Sequence, residues 1–155
     1  MNDNASVVSE NAATLFGIGR VGFAPGTVAS LVALPIAWVT MRYFGQIGVF
    51  VLGLAVAALG MWASDTYAKD RGVYDPSECV IDELAGQLLA CALAPFSLLG
   101  FAMAFLLFRL FDISKLWPIS MFERLPGGLG IVGDDVVAGL IAGGIVAVVD
   151  TAGLI

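Results

Sequence analysis

The sequence predicts an all-α protein, an integral membrane helical bundle of about four to five apolar helices, and three observations carry that expectation. First, 59% of the 155 residues are hydrophobic and only 13% are charged, where soluble domains carry about 25% charged residues. Mean hydropathy is +0.95. Second, nearly all the charges lie in three polar stretches: the N-terminal segment ending in Thr27, the loop Asp65 to Glu83, and the loop Arg109 to Asp135. Third, what lies between them is apolar over lengths that approach the roughly 20 residues needed to cross a hydrocarbon core.

The apolar segments follow in order. The first runs from about Val28 to Phe44 and contains Pro35, which a membrane helix tolerates where neighbours re-satisfy its backbone. The second runs from about Gln46 to Ser64 and is almost free of polar groups. The third, Leu84–Phe108, is broken at Pro95. Its two arms of about 12 to 15 residues are each roughly 20 Å long, short for a span and suited to a re-entrant hairpin. The last, Val136 to Ile155, is rich in small residues suited to close helix packing. The length fits one domain, with residues 1–16 read as an N-terminal tail and 17–155 as a single membrane-embedded domain.

A hairpin at Pro95 has a topological consequence. It puts Arg20, Lys69, Arg71, Arg109, Lys115 and Arg124 on one side, with Arg42 alone opposite. The positive-inside rule makes that side cytoplasmic. The nearly equal arms then bring Asp82 level with Arg109 and Asp112. No basic, compactly apolar leader opens the chain, so no cleavable signal is expected.

Composition also excludes. There is no histidine, so no imidazole nucleophile, base or metal ligand exists here. A net charge of −6 disfavours a nucleic-acid partner. Cys79 and Cys91 match no paired-cysteine spacing and read as buried free thiols. The cysteinyl-phosphate, aspartyl-phosphate D-x-D and Walker patterns are all missing from the sequence.

Candidate chemistry therefore rests on carboxylates and cations. Asp82–Glu83 and Asp134–Asp135 are acid pairs standing before apolar runs. They either cap helix N-termini or converge as an all-oxygen divalent-cation site of the kind that suits Mg2+. Arg109, Asp112 and Lys115 recur at i, i+3 and i+6, as a solvated ion pair or as a phosphate clamp. Gly17, Gly19 and Gly22 make a dinucleotide-like G-x-G-x-x-G, but no strand precedes it and no ribose-binding acid follows. With Gly26, and with Thr27 as the expected N-cap, that loop instead reads as a phosphate cradle or a turn. Arg20 belongs to it. A second Gly-rich loop, Pro126 to Asp135, includes Gly127 and Gly128.

These motifs occur in a combination that resembles the phosphatidylglycerophosphatase A family from about Gly17 to Gly143. The matching stretches are "FAPGTVASL", with Ala29 where a glycine is usual, "AKDRGVYDPSECVIDELAG", "FRLFDISKLWPI", with Leu116 where a proline is usual, and "GGLGIVGDDVVAG". The resemblance implies a Mg2+-dependent phosphatase of the bacterial inner membrane, multi-pass, with its active site facing the cytoplasm. It would convert phosphatidylglycerophosphate to phosphatidylglycerol, its partners being the phospholipid and the membrane; the sequence specifies no oligomeric state. Asp82, Glu83, Asp134 and Asp135 would hold the metal. Arg109 and Lys115 would bind phosphate, with Asp75 or Asp112 as base for an attacking water, or with a phospho-aspartate intermediate. Arg20, Thr27, Gly127 and Gly128 would help to hold the lipid's phosphates. The rivals are a phosphatase for another lipid phosphate and an ion or phosphate carrier built on the same acids.

Overall fold

The computed structural model describes residues 3–155, and among them there are helices and no strand. Helix α1 spans Asp3–Ala13, α2 Pro25–Arg71, α3 Ile81–Leu93, α4 Leu98–Ser114, α5 Ile119–Phe122 and α6 Gly128–Thr151. Two of them, α2 and α6, are long and apolar enough to cross a membrane.

Helix α2 is not one rod. At Gly45 the backbone leaves helical space (φ 68°, ψ −172°), a conformation that glycine adopts without a Cβ penalty. The break divides α2 into an arm of residues 25–44 and an arm of residues 46–71. Gly26 in the first arm lies against Glu83, while Gly60 in the second lies against Ile81. The outer end of the first arm and the middle of the second therefore both meet the start of α3, while the break between them lies at its far end beside Ala94, so the arms run antiparallel. The segments read as ending at Phe44 and starting at Gln46 are thus joined through one residue, not through a loop.

Helices α3 and α4 form the hairpin expected at Pro95. Ser97 caps α4 by accepting from the Gly100 amide at 2.9 Å. At the tip, Trp38, Phe96 and Phe101 form an aromatic cluster with centroids 4.4 to 6.4 Å apart. Gln46 donates to the Ala94 carbonyl at 3.1 Å, which fixes the α2 break at the same level as the hairpin tip. Helix α6 fills the remaining side through small residues. A Cβ on Gly139 would strike the Gly86 carbonyl and one on Gly128 the Met61 carbonyl, so these helices pack backbone to backbone.

Two expected boundaries move. Helix α6 begins at Gly128, not near Val136, so most of the second Gly-rich loop is helical. The Gly127 turn (φ 61°) and the Gly128–Met61 contact place that start. In addition, the N-cap of α2 is Ala24, with Pro25 in the first turn. Proline's fixed φ favours the first helical position, and this moves the start ahead of Thr27.

Candidate active site

The hairpin returns α4 to the level at which α3 begins, and this positions the charged side chains. Asp82 and Glu83 lie in the first turn of α3. Arg109 and Asp112 occupy the last turns of α4, paired at 2.5 Å across i, i+3. Arg109 also stands 4.0 Å from Glu83, so one guanidinium joins the two arms of the hairpin. Lys115, the left-handed C-cap of α4 (φ 48°), turns its ammonium onto Asp134.

Asp134 and Asp135 are separated by the geometry of α6. Adjacent helical residues point about 100° apart, at 3.6 residues per turn. Asp134 accepts from Lys115 and from the Asp135 amide. Asp135 instead joins Asp82 and Glu83, their ligand oxygens lying within 4.8 Å of one another. Because α6 begins at Gly128, neither acid lies in its first turn, and capping does not account for them. Asp82 and Glu83 do occupy capping positions, yet Val80 at the N-cap makes no side-chain cap bond.

The cluster is closed off from solvent. Asp82 and Asp112 are each 8% exposed, and Asp134 and Asp135 each 2%. Five carboxylates, counting Glu83, face the two cations Arg109 and Lys115. Unpaired charge is costly to bury, and Asp82 Oδ1 and Glu83 Oε2 have no hydrogen-bond partner. A divalent cation answers both the excess charge and the orphaned oxygens, and an all-carboxylate donor set suits a hard ion.

The other predicted residues are placed as follows. Gly26 is in the site: a Cβ there would collide with the Glu83 carboxylate and come within 3.3 Å of Arg109 Nη1. Thr27 follows it and is half-buried. Asp75, in the loop before α3, feels Lys115 and Asp112. Its carboxyl titrates above the ordinary range because desolvation outweighs the pull of Lys115. Lys115 is held above its usual value: desolvation works against its charge, and the Asp134 partnership and neighbouring carboxylates outweigh that effect.

Other residues are not brought into the cluster. Arg20 is engaged by Glu10 of α1. Gly17 (φ 95°) opens the short 3-10 turn Ile18–Arg20, and Gly19 presses against the Glu78 carbonyl. Of the two uses open to this loop, a turn and a phosphate cradle, Gly17 supplies the turn, and Gly19 admits the chain's own backbone. Gly127 and Gly128 line a cavity with Met61, Trp62 and Asp65. Both cysteines are free and buried, with Cys79 Sγ 2.9 Å from Ser64 Oγ.

The family model described as Phosphatidylglycerophosphatase A matches residues 11–150. A "Phosphatidylglycerophosphatase A" of Escherichia coli is 38% identical over 133 residues, covering 84% of this chain and 76% of its own. One of Haemophilus influenzae is 36% identical over 130 residues, covering 82% and 79%. A Bacteroides thetaiotaomicron protein named "Putative phosphatidylinositol-3-phosphatase" is 33% identical over 135 residues, covering 82% and 84%. No solved structure matches.

Proposed function

We propose, from the premise that the chain belongs to the phosphatidylglycerophosphatase A family and is a phosphatase, that it hydrolyses phosphatidylglycerophosphate to phosphatidylglycerol and phosphate. The reading includes Mg2+ dependence and a site on the cytoplasmic face of a bacterial inner membrane. Residues 17–155 act as one membrane-embedded domain, in which the two arms of α2, the α3–α4 hairpin and α6 make a multi-pass bundle. Orientation follows from the cations: Arg42 alone lies toward the Gly45 end of the arms.

The observation that carries the proposal is the meeting of Asp82, Glu83 and Asp135 beside Arg109 at one end of the bundle. Asp82, Glu83 and Asp135 would hold Mg2+, which when bound neutralises phosphoryl charge. Arg109 offers a planar fork and Lys115 a point charge to the phosphate oxygens. Asp112 fixes the Arg109 head through their ion pair, and Asp134 does the same for Lys115.

Water attacks phosphorus in line, forming one P–O bond as the bond to the glycerol oxygen breaks. Asp75 takes the water's proton, its raised proton affinity suiting a base. That proton then passes to the departing glycerol oxygen, which leaves as the alcohol. Thr27 and the first turn of α2 stand where the lipid's second phosphate, the diester, would lie.

The test is phosphate release by the purified enzyme in detergent, with Mg2+ and with EDTA, beside Asp82→Asn and Asp135→Asn. Metal-dependent release lost in both folded variants supports the assignment, while release from the variants at the parental rate overturns it. Phosphatidylinositol 3-phosphate belongs in the same assay, given the name carried by the Bacteroides relative.

A further inference from the structure

Beneath the charged cluster, the first arm of α2 and α4 leave an apolar groove between them. Leu34, Pro35, Trp38, Leu98, Phe101 and Ala102 line a cavity of about 290 Å3 there. We infer that this groove receives one acyl chain of the lipid whose phosphate is held at Arg109. The inference rests on the proposed lipid phosphatase activity and adds to it the place where the apolar part of the substrate is read.

Two rows of residues, one on each wall, lead from the site to the groove. In a helix, residues three and four apart share a face. On the α2 arm that face runs through Gly26, Ser30, Leu34 and Trp38. Its first member touches Glu83 and Arg109, and its last two line the groove. On α4 the corresponding face runs back from Arg109 through Phe105 to Phe101 and Leu98. One end of this double stripe is therefore the phosphate-binding cation, and the other is a wholly apolar hollow.

The two walls also agree in depth. Leu34 is eight residues beyond Gly26, and Phe101 is eight residues before Arg109. At 1.5 Å per residue each interval is about 12 Å. One leaflet's hydrocarbon, half of a core about 30 Å thick, reaches roughly 15 Å. A chain hanging from a headgroup at Arg109 would thus pass the groove before it ends. The occupant is apolar by the character of the lining. Leu98 is 80% exposed, so the groove is open along its side. A lipid can slide in laterally, without leaving the bilayer. The Trp38, Phe96 and Phe101 rings close the groove at its deep end.

The experiment compares dipalmitoyl with dihexanoyl phosphatidylglycerophosphate in mixed micelles, using the intact enzyme, Ala102→Trp and Leu34→Trp. The short chains end above the groove and the long chains enter it. Filling the groove from either wall should lower kcat/KM for the dipalmitoyl lipid about tenfold, the worth of roughly two methylenes withdrawn from apolar contact. Hydrolysis of the dihexanoyl lipid should stay at the parental rate, which also reports that each variant is folded. Ala102→Leu, a smaller intrusion, should fall between. Parental activity of the variants on both lipids, or an equal loss on both, overturns the groove. If the unmodified enzyme releases phosphate from neither lipid, it is the phosphatase reading that fails.

Discussion

The ammonium of Lys115 is bonded to Asp134, joining the end of α4 to the second turn of α6. Asp134 is almost wholly buried while Lys115 keeps about a third of its side chain in contact with solvent. The pair is therefore partly screened. Lys115→Ala strands the buried carboxylate and should cost about 2 kcal/mol, below the range for fully buried pairs. Lys115→Met with Asp134→Asn should recover most of that stability while phosphate release stays low. Denaturant titration beside the release assay separates the two effects.

Gly26 has no room to grow. Its added methyl in Gly26→Ala would displace the Glu83 carboxylate. Displacement on the scale of an ångström can cost about a hundredfold in rate. The variant should lose activity on that order, and the rise in Tm produced by Mg2+ should shrink. An unchanged Mg2+ response would detach Glu83 from the metal.

The pH dependence follows from Asp75. Its carboxyl is raised, so its basic form is lost on acidification sooner than that of an ordinary aspartate, whose pKa is about 3.9. The acid limb of kcat/KM should accordingly lie above that value. Asp75→Asn should remove the limb and lower kcat by about a hundredfold or more. A limb that persists in Asp75→Asn assigns the base elsewhere.

Cys79 offers a probe of folding. Burial pushes its thiol up to about 12, against the smaller opposing effect of its Ser64 contact. At pH 8 the group is neutral, and only the thiolate is a nucleophile. N-ethylmaleimide should leave the folded protein unmodified and label it after denaturation, as read by mass spectrometry. Rapid labelling under native conditions would mean that the loop before α3 opens.

Much of the site was legible because its parts are covalently local. Pro95 between two nearly equal apolar arms is enough to return Arg109 to the level of Glu83. The division of labour between Asp134 and Asp135 was not legible, since it depends on where α6 begins. That start is set by a tertiary contact, Gly128 on the Met61 backbone, which no local pattern announces. Thr27 reads as the N-cap of α2, yet Pro25 carries the better signal, a residue suited to the first helical turn. The glycines at 17 and 19 resemble a ligand loop in spacing alone. Their partners in space are a positive φ and the Glu78 carbonyl. Helix α1, packed on α2 by way of Ala13, has low hydropathy, and small or polar residues such as Ser9 and Ala13 on its inner face do not reveal it.

The break at Gly45 leaves nothing dangling. The chain reverses there on one residue and at the hairpin tip on four, residues 94–97, so neither reversal remote from the acid cluster offers a loop for a protease or a partner to seize. Every long connection opens at the acidic end. On the proposed membrane-embedded reading such a molecule would be one-sided: substrate arrival, phosphate departure and any regulator acting through the long connections would share a single compartment.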